Sequence, residues 1–121
     1  MPMPLHHLAL RTDDVAALAA FYREMFDMAV VRDALPRSLW LGLGGDAVPM
    51  LEKREPGESA LAAGSLELMA FRVDDRARDA VRSRARRRGC YDGETASTVY
   101  LRDPDGRRLG VSTYDLGSAT A

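Results

Sequence analysis

The chain has 121 residues, of which 46% are apolar and 29% charged, and its formal net charge is −1. This length and composition predict one ordinary globular unit, and the charge balance gives no general attraction to nucleic acid or to an anionic membrane. A single cysteine, Cys90, excludes an intrachain disulfide framework. No apolar run approaches the ~18 residues of a membrane span and no signal peptide is visible, so we expect a cytoplasmic protein.

One sequence pattern occurs twice, at an offset of 61 residues. The segments LHHLALRTDD and LELMAFRVDD align Ala9 with Ala70 and Arg11 with Arg72. Each copy runs through an apolar or alternating stretch, reaches an acidic pair and then adopts helical spacing. That pattern is typical of a strand leading into an N-capped helix. Two copies in one short chain predict a duplicated module.

The first module is predicted to contain four strands and one helix. The predicted elements are a strand over 4–12, a helix capped by Asp13 or Asp14 and ending near Phe26, and strands over 28–33, 38–43 and 47–53. The apolar stripe of the helix, spaced for packing on a sheet, is Val15, Leu18, Ala19, Tyr22, Met25 and Phe26. Gly44-Gly45-Asp46 predicts a hairpin turn. Pro49 lacks a ladder donor and therefore predicts an edge or bulge position.

The second module repeats this order after a linker over 55–65. The predicted elements are a strand over 66–73, a helix over 75–88 closed by Gly89, a short strand at 90–91, strands over 98–102 and 107–114, and a tail over 115–121. The last two strands flank Asp103-Pro104-Asp105-Gly106, a strong turn signal. The predicted unit is βαβββ, used twice.

These features resemble the vicinal oxygen chelate superfamily, which includes glyoxalase I, bleomycin-resistance proteins, fosfomycin-resistance thiol transferases and extradiol dioxygenases. The resemblance rests on His7 followed by ALRTDD, on Phe21-Tyr22-Arg23 and on the late segment YLRDPDG. It implies an α+β fold of two βαβββ modules, 4–54 and 66–114, that form a curved mixed β-sheet cup with helices packed outside. It also implies that residues 1–121 are a single domain of the glyoxalase, bleomycin-resistance and dioxygenase type, and that the protein is a homodimer.

The same resemblance implies four positions for the ligands of a divalent metal ion, on the first and last strands of each module. Those positions hold His7, Met50, Leu68 and Gly110. Protein sites for such ions need three or more ligands in fixed geometry, so we expect no catalytic metal and no other cofactor. The alternative is a metal-dependent lyase, isomerase or dioxygenase in which Glu52, on the same strand face as Met50, joins His7 as a non-standard ligand.

The predicted ligand-binding residues share one face of their strands: His7, Arg11, Trp40, Met50, Leu68, Arg72 and Tyr100. The aromatic and aliphatic members are predicted to give apolar contacts, with plain core packing as the alternative. His7 is a polar pocket residue or a general base, whereas His6 is predicted on the opposite face. The resemblance assigns a substrate carboxylate to the position that the repeat mates Arg11 and Arg72 share, a role that a guanidinium suits. An ion pair with a nearby Asp or Glu is the alternative for both arginines.

The helix over 75–88 carries seven arginines. Because it has no interleaved aromatic residues and the chain is slightly acidic, we interpret them as a solvated face and expect no nucleic-acid partner. The leading function is binding of a small organic molecule without a catalytic metal, as in bleomycin-resistance proteins. The metal-dependent enzyme is the first alternative, and a non-catalytic interaction protein with a filled cup is the second.

Overall fold

The computed structural model describes residues 1–44 and 47–117. The chain divides into two compact units, Met1–Leu61 and Ala62–Ala121, called unit 1 and unit 2 below. Their boundary falls inside the predicted linker over 55–65. The predicted turn at Gly44-Gly45-Asp46 and the end of the predicted tail include residues outside the described part of the chain. Neither helix within that part has the length and hydropathy of a membrane span.

Unit 1 has the predicted order βαβββ. Its elements are β1 (His7–Thr12), α1 (Val15–Phe26), β2 (Ala29–Ala34), β3 (Ser38–Gly42) and β4 (Val48–Lys53). The strands form one mixed sheet in the order β1-β4-β3-β2, in which β1 and β4 run parallel and the other pairs run antiparallel. The first strand is shorter than predicted and begins only at His7.

Unit 2 repeats this architecture. Its elements are β5 (Leu68–Arg72), α2 (Asp75–Arg88), β6 (Tyr91–Glu94), β7 (Thr98–Arg102) and β8 (Arg108–Ser112). The sheet order is β5-β8-β7-β6, again with the first and last strands parallel. The α+β class and the repeated βαβββ order are therefore confirmed.

Both helices begin at the acidic pairs of the sequence repeat. The Asp14 carboxylate accepts a hydrogen bond from the Ala17 backbone amide at 3.0 Å, and Asp74 accepts the equivalent bond from Ala77 at 2.8 Å. An aspartate at this position satisfies one of the backbone donors that the first helical turn leaves unpaired. The N-caps are thus Asp14, the second residue of the first acidic pair, and Asp74, the first residue of the second pair.

Each sheet buries one face under its own helix. In unit 1 the alternating residues Leu39, Leu41 and Leu51 are at most 4% exposed, and α1 packs against their strands. The buried side of α1 follows the predicted stripe, except that Phe21 is buried and Phe26 is only half-buried. The sheet face turned away from the helix is called the open face below. It carries the alternate side chains of each strand, which point away from the helix.

Pro49 contradicts the prediction of an edge or bulge position. β4 lies between β1 and β3, and Pro49 is fully buried. The pairing of β4 with β3 ends at Met50 opposite Trp40, one residue short of the proline. The missing backbone donor therefore falls beyond the antiparallel ladder, which is how a central strand accommodates this proline.

The predicted turn between β7 and β8 is confirmed and is organised by Asp103. Its buried carboxylate accepts hydrogen bonds from the backbone amides of Asp105 and Arg107 and pairs with the Arg107 guanidinium at 2.8 Å. Gly106 closes the turn at a φ of +86°, a conformation in which a side chain would be strained. This turn sets the register of the last two strands.

Replacing the cap of α1 tests this account of the helix start. We expect Asp14→Ala to lower the free energy of unfolding by about 1 kcal/mol, because one amide of the first turn loses its acceptor. Asp14→Asn is the matched control, since asparagine caps as well as aspartate does, and should remain close to the native chain. Urea denaturation of the three proteins measures this, and equal losses in both variants would contradict the role of the cap.

Candidate functional site

The open face of unit 1 brings together three of the predicted ligand-binding residues. The rings of His7 and Trp40 lie 5.0 Å apart, centroid to centroid, and Trp40 is paired in register with Met50. His7 is exposed, while the tryptophan and methionine are half-buried. The face therefore presents an apolar surface with one imidazole at its edge, which is the general character of a small-molecule site.

His6 lies beside His7, contrary to its predicted place on the opposite face. The two Nδ1 atoms are 2.9 Å apart and the rings meet edge to face. Because β1 begins only at His7, the strand alternation that separates neighbouring side chains does not extend to His6.

Arg11 is engaged by two carboxylates at the other end of the same face. Its Nε and one terminal nitrogen donate to the two carboxylate oxygens of Glu58 at 3.1 and 2.6 Å, and its other terminal nitrogen donates to Glu52. The bidentate bond ties the start of the segment between the units to the sheet. The sequence predicts two alternative roles for Arg11, contact with a substrate carboxylate or an ion pair with acidic neighbours. The geometry shows the ion pair.

These contacts shift the titration of the groups involved. The hydrogen bonds from Arg11 are the main cause that lowers the Glu58 pKa from 4.5 to about 2, and the Glu55 backbone amide contributes as well. In turn, Glu58 raises the pKa of the Arg11 guanidinium above its ordinary value. All three side chains remain partly open to solvent, so the shifts reflect direct hydrogen bonding more than deep burial.

The structure does not bring His7 and Glu52 together. Register places His7 opposite Val48 and Glu52 opposite Arg11, so four residues of strand separate the two positions, roughly 13 Å at ~3.3 Å per residue. Glu52 is also held by Arg11. Within residues 1–44 and 47–117, no three His, Cys, Asp or Glu side chains are grouped in a way that could hold a metal ion.

In unit 2 the two implied metal-ligand positions hold Leu68 and Gly110, whose side chains have no donor atom. A Cβ added at Gly110 would lie 3.2 Å from the Thr98 methyl and 3.3 Å from a methyl of Leu68, both tighter than ordinary contact. A leucine methyl thus fills the space beside the glycine backbone. Together with Met50 and one imidazole in unit 1, these residues do not supply the donor set of a hard divalent ion.

The open face of unit 2 also holds a residue that sequence reasoning missed. The Arg108 guanidinium carbon lies 4.0 Å from the centre of the Tyr100 ring, and register places Arg108 beside Leu68. Period-two alternation from Gly110 would have placed residue 108 on this face. Arg72 is exposed on the same face, where it is paired in register with Ser112.

Some arginines of α2 form ion pairs within unit 2. Arg82 donates to both carboxylate oxygens of Glu94 and to Asp79, and Arg78 pairs with its helical neighbours Asp75 and Asp79. These contacts offset part of the positive charge on that helix.

A groove of about 580 Å³ lies at the start of α1. It is lined by Asp13, Asp14, Val15, Ala16, Leu35, Pro36 and Lys53. None of the seven predicted ligand-binding residues belongs to this lining.

Comparison with known proteins agrees with the observed fold. The model of the Glyoxalase-like domain family matches residues 7–112. The oxidase ChaP-H2 superposes with a TM-score of 0.79 at 21% identity, covering 98% of each chain. The fosfomycin resistance protein FosX from Mesorhizobium loti gives 0.77 at 22% identity, over 96% of this chain and 95% of that one. Lactoylglutathione lyase from Agrobacterium tumefaciens gives 0.68 at 23%, over 92% and 93%. No curated protein matches the chain in sequence.

The Arg11–Glu58 pair makes a pH-dependent contribution to the free energy of unfolding, and the variant Glu58→Gln removes it. Because the folded-state pKa of Glu58 is depressed to about 2, its stabilisation is fully present above the ordinary pKa near 4.5 and is lost as the pH falls toward 2. The difference in unfolding free energy between the native chain and Glu58→Gln should therefore be largest above pH 5 and shrink below it.

Urea denaturation across this pH range measures that difference. Glu55→Gln serves as the control. The Glu55 carboxylate pairs with the exposed Arg37 at 3.4 Å, and an exposed ion pair of this kind contributes little to stability. A Glu58→Gln difference that does not change with pH would contradict the ion pair.

Proposed function

The chain belongs to the glyoxalase-like domain family, within the vicinal oxygen chelate superfamily, and we propose that it binds a small organic molecule on the open face of unit 1 without a catalytic metal ion. The observation that carries the proposal is the uncovered surface made by His7, Trp40 and Met50. An aromatic ring, a thioether and an imidazole on one sheet face offer apolar contact together with a single polar group.

The side chains on this face suit binding better than core packing. Trp40 and Met50 keep part of their surface in solvent, while their strand neighbours Leu39, Leu41 and Leu51 are buried under α1. Covering the exposed apolar area with a ligand is favourable by about 25 cal/mol per Å². Methionine also adapts to irregular shapes at little cost, so this surface can accept a ligand without rearranging the sheet.

The absence of a catalytic metal is supported by the donor chemistry at the four implied positions. They hold one imidazole, one soft thioether, a leucine and a glycine, and Leu68 packs against the backbone of Gly110. The second ligand considered for an enzyme, Glu52, is engaged by Arg11. Without a metal ion, the ligand must be held by side-chain contacts alone, as we expect for a sequestering protein of the bleomycin-resistance type.

The fold by itself does not select an activity, because function depends on the site that a fold carries. An oxidase, a lyase and a fosfomycin resistance protein share this fold, so the side chains on the open faces must decide the ligand. We retain Leu68, Arg72 and Tyr100 as predicted contacts on unit 2. A homodimer and a cytoplasmic location complete the proposal.

Fluorescence of Trp40, the only tryptophan in the chain, tests the proposal directly. A library of small aromatic drugs and carboxylates is titrated into the protein in the presence of a chelator. We expect at least one compound to change the emission saturably, and Met50→Ala to weaken its binding roughly five- to tenfold, because the methionine contact opposite Trp40 is lost.

Met3→Ala is the matched control, since Met3 is 94% exposed and lies outside every strand and helix. It should bind as the native chain does. Saturable binding that Met50→Ala leaves unchanged would place the ligand elsewhere. Binding that is seen only when the titration is repeated without the chelator would contradict metal-free binding.

A further inference from the structure

Arg108 is placed unusually for a charged residue on a sheet face. Its guanidinium carbon lies over the Tyr100 ring, 4.0 Å from the ring centre, and its Nε atom is buried with no hydrogen-bond partner in the described part of the chain. A buried guanidinium donor without an acceptor is costly unless a ligand or partner supplies one. The tyrosine ring stabilises the charge but accepts no hydrogen bond in the plane of the guanidinium.

Neighbouring arginines of the same hairpin differ from Arg108 in this respect. Arg102 donates to the Asp92 carboxylate at 2.9 Å and to the Ser65 carbonyl at 2.6 Å, and Arg107 pairs with Asp103 at 2.8 Å. Arg108 takes part in none of the ion pairs found among residues 1–44 and 47–117. Local charge balance in the hairpin is therefore achieved without Arg108.

The strand positions beside Arg108 on the open face hold residues without charge. Leu68 is its register partner on β5, and Gly110, the next residue on the same face of β8, is paired with Tyr100 on β7. A methyl of Leu68 closes the space over Gly110. The guanidinium thus lies against an aromatic ring, beside a strand position that holds leucine, and its charge is less screened there than in bulk water.

We propose that Arg108 and Tyr100 form an oxyanion-binding site on the open face of unit 2. Its ligand is an organic molecule that carries a carboxylate or a phosphonate next to a flat apolar group. The guanidinium would bind the anion through two parallel N–H bonds, and the flat group would contact Leu68 and the edge of Tyr100. The site includes Leu68 and Tyr100, two of the contacts retained in the proposed function, and it is formed by residues of unit 2 alone.

The contact with the Tyr100 ring prepares Arg108 for this role. A free arginine side chain loses considerable rotamer entropy when it binds a ligand, but one that already lies against a ring has lost much of that freedom beforehand. The guanidinium presents its N–H donors in one plane, which favours planar or tetrahedral oxyanions over spherical ions. Lysine could keep the charge but neither the plane nor the paired donors.

Three probes that share a phenyl ring test the site by calorimetry at fixed ionic strength: benzoate, phenylphosphonate and the neutral benzamide. We expect either anion to bind the native chain at least tenfold more tightly than benzamide. Arg108→Ala should remove that preference while leaving benzamide unchanged, and Arg108→Lys should keep only a small part of it. The anion that binds more tightly distinguishes a carboxylate ligand from a phosphonate ligand.

Arg76→Ala is the control for net charge, because Arg76 is exposed on α2 of the same unit; it should leave all three affinities unchanged. Thermal unfolding of each variant shows whether the fold is retained. Equal binding of benzamide and the anions, an unchanged preference in Arg108→Ala, or no binding of any probe to the native chain would overturn the oxyanion site. None of these results bears on the Trp40 fluorescence titration, which tests ligand binding on the open face of unit 1.

Discussion

Each four-stranded sheet has a single helix, and one helix can bury only one face of a sheet. This constraint determines the role of every strand residue, since side chains alternate between the two faces. Leu39, Leu41 and Leu51 form the core of unit 1 beneath α1, and Leu101 and Leu109 do so beneath α2 in unit 2. The residues between them are left on the open faces, so the same alternation that stabilises the fold presents the residues available for binding.

The arginines on the open faces are of two kinds. Some form ion pairs with carboxylates of the same chain, and others do not. Arg11 is held by Glu52 and Glu58, which leaves it poorly suited to a substrate carboxylate. Among the residues that the structure describes, Arg108 forms no ion pair, and its guanidinium lies over the face of Tyr100. A guanidinium already paired with two carboxylates gains little from a third anion, whereas one that lies against a neutral ring gains a full charge-assisted bond. Anion recognition is therefore more favourable on unit 2.

Sequence reasoning recovered the fold more completely than the site. The repeat, the aspartate caps and the turn at Asp103 are local signals, and each is confirmed. Pro49 was misread because its neighbours on adjacent strands are distant in sequence, and a central position is compatible with proline where the ladder ends. The partner of Arg11, Glu58, lies 47 residues away in a segment without a pattern, so no periodicity could reveal it. The placement of Arg108 could be read from strand alternation, but its lack of an acceptor depends on the side-chain packing.

The central claim is that the open faces bind organic molecules through side-chain contacts and not through a catalytic metal ion. Calorimetric titration of the chelator-stripped chain with Mn²⁺, Ni²⁺ and Zn²⁺, alongside His7→Ala, tests this claim most directly. The account predicts weak binding or none, and the same result for both proteins, because one imidazole cannot hold these ions in fixed geometry. Tight binding of one ion per chain that His7→Ala abolishes would contradict it.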